Sequence, residues 1–404
     1  MRAGTNPALG FARQLGRLLF LAIALAASGL AVADAATITF NSQALKAAGS
    51  ARPLLVNTVR LTGGIETGDA EKLREVLERL PVPKDNATDA PFTVIELSSL
   101  GGSLGEGFKI GALLRKFRVI AVVRARDICL SACALAFLAG NVHHLPISLA
   151  NECNVEIGGK VAFHNFWLNS NGLRAVTSLD PVASRHEGFV DARGGAASLA
   201  KYAGELGLPA NFVASMIGRP VDEYQYIETI EQFLFLRVCP LQLQRPPIDL
   251  ATQAVNVCRH STSWADPSLP LDAKALLAPE ARRYLLEHLQ RDMVALKSKG
   301  RLSGQLASGA IMRVKEEIDG LYEDLRAAGV ALPQIVGPTF EVGRTRAGAY
   351  ETVCFVSLST EDPDNFDVVV RGPKGLAHPA QTPPANSRRL FLFDRSDIVN
   401  PRPK

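Results

Sequence analysis

The stretch DICLSACALAFLAG, residues 127–140, places one serine between two cysteines at the head of a run of small and apolar residues. It follows RVIAVVRA (118–125), a continuous apolar run that reads as a buried strand. A strand that turns at about Ser131 into an apolar helix is one unit of an α/β fold. The flanking segments repeat that pattern. PLLVNTVRLTGGI (53–65) reads as a strand ending at a glycine pair. Leu73, Val76, Leu77 and Leu80 then mark an amphipathic helix with Asp69 as its expected cap. FTVIEL (92–97) is another short apolar strand. SSLGGSLGEG (98–107) is a glycine-rich turn into a helix reaching about Lys116, and GKVAFHNF (159–166) is a strand ending at a histidine. Apolar strands alternating with helices predict an α/β fold with a mostly parallel sheet covered on both faces.

Residues 168–200, rich in Gly, Ala, Ser and Asp, are expected to be irregular. Residues 206–218 read as a helix, and 223–238 close the α/β unit. The composition changes at Cys239. The expected organisation is an α/β domain over 36–238, a linker or irregular segment over 239–275, and an α+β region over 276–404. The last of these comprises a helical hairpin (279–299 and 305–328), short β segments and a Pro-rich tail. The polar faces of the hairpin mix both charge signs, which fits packing better than membrane binding.

Residues 1–35 read as a secretory signal peptide. Arg2, Arg13 and Arg17 form a positive start, residues 18–33 are apolar or small, and Ala33-Asp34-Ala35 fits a small-x-small cleavage site before Ala36. The alternative is an uncleaved anchor, for which the run is short. No later run reaches ~18 apolar residues, so no stable membrane span is expected after cleavage. A periplasmic or secreted location follows. The net charge of +4 gives no support to nucleic-acid binding. In an oxidising compartment an even cysteine count favours disulfides, and Cys129, Cys133, Cys153, Cys239, Cys258 and Cys354 are all candidates. No metal site is expected, since no CxxC pair occurs and no histidine lies at a zinc-like spacing from Cys129 and Cys133. His143-His144 reads as surface loop, and Asn86 opens a glycosylation sequon.

Three pieces from three strand ends could carry chemistry. Ser131 sits where a helix N-terminus would gather unpaired amides. Gly101-Gly102 lets backbone approach a substrate carbonyl. His164 ends an apolar strand, where its ring could act as general base. Each alone has a plainer reading, as an N-cap, a turn and a structural histidine. Their order and spacing say more than any one of them. In an open α/β sheet, sites form at the carboxyl ends of strands.

The segments SSLGGSLGEGFKIGALL, VIAVVRARDICLSACALAFLAG and GKVAFHN together resemble the Clp protease proteolytic subunit and its relatives in the Clp/crotonase superfamily. The resemblance covers roughly residues 56–238. It implies a spiral of repeated ββα units and an exported serine peptidase or other hydrolase. It implies Ser131 as nucleophile, His164 as base, and Gly102 with Ala132 as oxyanion donors. It implies a peptide or protein substrate and no cofactor, and a homo-oligomer is compatible with it. The sequence departs from the family at Leu100, which stands where a proline is usual, and in an insert around residues 148–159. The family's aspartate aligns with Tyr224 in VDEYQYIE. Asp222 is the nearest candidate for a third triad member, with Glu223 beside it and Asp180, Glu187 and Asp191 in reserve. A disulfide from Cys129 or Cys133 to Cys153 would pin the serine turn, and a cysteine nucleophile is the lesser alternative. The rival to an enzyme is a non-catalytic scaffold or binding protein of the same fold. An acyl-CoA enzyme fits poorly, because coenzyme A is intracellular.

Overall fold

The computed structural model describes residues 35–45, 54–81, 92–144, 148–151, 153–165, 181–220, 222–262, 271–277, 335–344, 353–372, 375–377 and 385–402. Residues 1–34, Asn86, Asp180 and the expected hairpin over 279–328 lie outside them.

The chain builds an α/β fold with mixed sheets. The main sheet is six-stranded, in the order β1 (Thr37–Leu45), β2 (Leu54–Thr62), β3 (Phe92–Ser98), β4 (Ile120–Val123), β8 (Cys153–Glu156) and β11 (Val238–Leu241). From β2 to β11 all pairs are parallel, and β1 closes one edge antiparallel. A three-stranded layer runs in the order β10 (Gln225–Tyr226), β9 (Lys160–Phe163) and β5 (Ile128–Leu130), with β5 and β9 parallel. The two layers join because strands continue past the first sheet. Ser99, just after β3, bridges to Cys129, and Ile65, just after β2, bridges to Gly102. Helices follow: α1 (Asp69–Glu78), α2 (Leu104–Phe117) and α3 (Ala132–Phe137). A strand in the first sheet, an extended piece in the second layer and a helix thus recur. Strands β6 (Asn141–His144) and β7 (Ser148–Asn151) form a separate hairpin.

The core lies between these layers. Val59, Leu61, Ile95, Leu97, Ala121 and Val123 from the sheet meet Leu73, Ile110, Leu114 and Phe137 from the helices, all at or near zero exposure. The expected cap of α1 is displaced by one residue. Gly68 is the N-cap at φ 101°, and Asp69 lies inside the first turn, fully buried. The amides of Gly68 and Ala70 are taken instead by Glu106 Oε1 of α2, at 3.0 and 2.9 Å. One helix thereby caps another through a buried carboxylate.

Residues 168–200 are not irregular throughout. A long helix, α4 (Pro181–Leu206), occupies their second half and is followed by α5 (Ala210–Ile217). Among the described side chains of α4, those with 0–6% exposure are Leu199, Tyr202, Ala203 and Leu206, all near its end. The described side chains before them, at 189, 190 and 192–198, are exposed or half-buried, so that stretch shows little apolar periodicity. The segment expected as a linker contains α7 (Leu250–Ser261), after α6 (Ile230–Leu236) and β11. Beyond it, β12 (Leu271–Leu276), β13 (Thr339–Arg344), β14 (Val353–Leu358), β15 (Phe366–Gly372) and β16 (Gly375–Ala377) form an antiparallel sheet. The disulfide Cys258–Cys354 ties α7 to β14.

The expected tail is a docked segment. A 3₁₀ turn, Ala385–Leu392, buries Leu390, Phe391 and Leu392, and Phe393 just after it is buried as well. Asn256 Nδ2 of α7 donates to Leu392 O at 3.0 Å, and His260 Nε2 lies 2.9 Å from Phe393 O. Residues 395–402 then run along the α/β body. Ile398 bridges Thr229, and Asn400 accepts from Gly158 N (3.0 Å) and donates to Gly159 O (2.8 Å). This segment shows no periodicity, because it packs by isolated aromatic and amide contacts.

Candidate active site

Ser131 follows β5 and precedes α3, with φ 57° and ψ −122°. A β-carbon makes that region costly, and non-glycine residues hold it only where the surroundings impose it. Here the surroundings are specific. The Ser131 amide donates to Ala162 O on β9 (2.9 Å), and its carbonyl accepts from Leu135 N (3.1 Å). A serine on a sharp strand-to-helix turn presents its hydroxyl above the sheet, a geometry shared by nucleophilic serines of hydrolases.

The turn is also closed covalently. Cys129 and Cys133, both fully buried, form a disulfide across Ser131, with Cα atoms 5.2 Å apart. The expected link of either cysteine to Cys153 is therefore not made. The tight turn brings residues 129 and 133 within bridging range of each other. Cys153 lies instead on β8, between β4 and β11, with its Sγ 3.6 Å from Gly140 O. Cys239 on β11 is also outside the disulfides, and both retain buried thiols. Val238 is in register with Cys153 and Cys239 with Asn154, so the two thiols leave opposite faces of the sheet.

The glycine loop is packed directly on this turn. A β-carbon on Gly101 (φ +96°) would meet Leu130 O and Ser131 Cβ, each at 2.7 Å, and one on Gly102 (φ +141°) would meet Ile65 O at 2.1 Å. Both positions need glycine for conformation and for space. The loop is gripped on both sides of Gly102. Ile65 N donates to Gly101 O, and Ser103 N donates to Ile65 O, both at 2.8 Å. Gly101 N donates to Ser99 Oγ at 3.1 Å. Among the described residues no acceptor takes the N–H of Gly102 or of Ala132. Ser99, Ile65 and Ala162 were not singled out by the sequence. They act through backbone pairing, and only Ser99, two residues before Gly101, carries a visible hint.

His164 comes immediately after β9 and is buried at 7% exposure. Since Leu130 pairs with Ala162, Ser131 and His164 leave neighbouring parallel strands at the same end. The imidazole packs on Tyr224, with ring centroids 4.6 Å apart at 51°. Burial pushes the Tyr224 hydroxyl pKa upward, and neighbouring Tyr226 adds to the effect. Asp222 is exposed, and Glu223 makes a 3.7 Å ion pair with Arg219. Asn165, the next residue after His164, donates to Ile217 O and Arg219 O at 2.8 and 3.2 Å, anchoring the end of α5 beside the site.

Among the described residues, no three His, Cys, Asp or Glu side chains gather in a way that could hold a metal ion. No described helix is long and apolar enough to cross a membrane. No protein-family model matches this chain, and no curated protein sequence matches it.

Proposed function

We propose that the chain is an exported serine hydrolase of peptidase type on a Clp/crotonase-like fold. The observation that carries the reading is the Ser131 turn, held at φ 57° with the Gly101-Gly102 backbone packed against it. The recurring strand, second-layer strand and helix support the fold assignment. The disulfides support a location outside the cytoplasm, in the periplasm or beyond the cell.

In this reading Ser131 Oγ attacks the carbonyl carbon of a peptide while His164 takes its proton. The oxygen that becomes negative is met by the amides of Gly102 and Ala132, which need not reorganise to receive it. His164 then passes the proton to the leaving amine, and water releases the acyl group from Ser131 by the reverse sequence. Residues from 240 onward would shape access to the site or bind a partner.

The test is labelling of the purified, oxidised protein with a fluorophosphonate probe beside Ser131→Ala and His164→Ala. Labelling of the wild-type protein that both substitutions abolish is expected. Tyr224, which stands where the family carries its aspartate, packs on the imidazole and favours a second reading, a non-catalytic scaffold. Absence of labelling in the oxidised wild-type protein would select that reading.

A further inference from the structure

The cleavage expected before Ala36 would create a new α-amino group, and the structure places a carboxylate beside it. Ala36 is buried at 6% exposure, and its nitrogen lies 3.3 Å from Oδ2 of Asp69. Asp69 is itself 0% exposed. Its Oδ2 also accepts from Glu66 N at 2.8 Å, while Oδ1 holds Lys72 Nζ at 2.8 Å. In the uncut chain Ala36 offers this carboxylate only a neutral amide. Hydrolysis of the Ala35–Ala36 bond changes that. The oxygen of one water goes to the Ala35 carbonyl carbon, which leaves as a carboxylate. Both water hydrogens go to the Ala36 nitrogen, which becomes an ammonium.

We propose that Ala36, once exposed as the mature N-terminus, forms an ion pair with Asp69, so that removal of residues 1–35 installs a charge that locks β1 to the start of α1. A charge-assisted bond replaces a neutral one, at a buried carboxylate whose present cation, Lys72, is 56% exposed in its side chain. The pair also bears on the candidate site. Asp69 fixes the Glu66 amide, and the preceding residue, Ile65, grips the chain on both sides of Gly102. The new terminus is therefore connected, through Asp69 and a short stretch of backbone, to the loop that would hold the oxyanion. The proposal rests on the export half of the functional reading and not on hydrolysis.

The experiment uses the full chain secreted by a host cell, with its N-terminus read by sequencing and intact mass. The α-amine is then acylated with an activated acetate ester across pH 6–9, in wild type and in Asp69→Asn. The expected terminus is Ala36. The expected acylation at pH 7.5 is about tenfold slower in wild type than in Asp69→Asn, matching an amine pKa raised by about one unit. A terminus still at Met1 overturns the proposal together with the export reading of residues 1–35, and a cut before any residue other than Ala36 overturns the ion pair alone. A terminus at Ala36 with equal rates in the two proteins overturns the ion pair and leaves the export reading standing. Should Asp69→Asn fail to fold, the wild-type profile decides alone. An apparent amine pKa at or below the ordinary ~7.7–8.0 overturns the pair, and one above it supports it.

Discussion

The amide of Ser131 donates to Ala162 O at 2.9 Å, so the serine is suspended from the same strand that ends in His164 two residues later. The proposed nucleophile and the proposed base are thus set by one backbone ladder, and the cost is a serine at positive φ. Ser131→Gly should relieve that cost. The expected result is a gain of about 1 kcal/mol in urea unfolding, offset in part by glycine's larger unfolded-state entropy, with complete loss of probe labelling. A loss of stability in this variant would show that the turn is not strained.

Gly101 should tolerate no side chain. Gly101→Ala places a methyl 2.7 Å from Leu130 O and from Ser131 Cβ, at a φ of +96°. A destabilisation of about 2–4 kcal/mol is expected, read from the urea midpoint, together with at least a tenfold fall in labelling rate. An unchanged midpoint would mean that the loop and the serine turn are not in contact in solution.

The two disulfides should separate stability from site geometry. Cys258–Cys354 spans 96 residues and Cys129–Cys133 only 4. Loop-closure entropy assigns them about 5 and about 2 kcal/mol respectively. Replacing Cys258 and Cys354 with serine should therefore cost more in thermal unfolding. Replacing Cys129 and Cys133 should cost less there and more in labelling rate, because that ring encloses Ser131. The opposite ordering in the two assays would remove the smaller ring from the account of the site.

Acid should loosen the contact between α7 and residues 390–393. His260 Nε2 faces a carbonyl, which only accepts, so Nε2 carries the proton, and among the described residues the buried Nδ1 has no partner. Burial is the main cause that lowers this pKa from 6.5 to about 4, and Arg395 adds to it. The folded form then binds fewer protons than the unfolded form below pH 6.5. The stabilisation is complete above pH 6.5 and is lost as pH falls toward 4, by about 3 kcal/mol in all. His260→Gln keeps a donor for Phe393 O and removes the titration. Unfolding free energies at pH 7 and pH 4.5 should fall further apart in wild type than in this variant.

The apolar strands and the serine turn were legible because their signals are local. Ile120 to Val123 and Lys160 to Phe163 announce themselves by composition, and Ser131 by the change from strand to apolar helix. The Cys129–Cys133 bridge was not legible, since it depends on a backbone turn that no residue type encodes unambiguously. Helix α4 was hidden because, among its described side chains, the core contacts crowd into its last turns. The docking of residues 385–402 was hidden for a related reason. Its anchors, Phe391, Phe393 and Asn400, find their partners in α7 and in the turn before β9, far away in the chain.

That docking has a consequence for how the molecule comes into being. Asn400 completes the turn at Gly158 and Gly159 across 242 and 241 residues, and Ile398 bridges Thr229 across most of the second half of the chain. A ribosome finishes the segment holding His164 long before it makes these ties. Contacts of such long range close late and slowly. The nascent chain therefore lacks its final brace until nearly all of it has been synthesised.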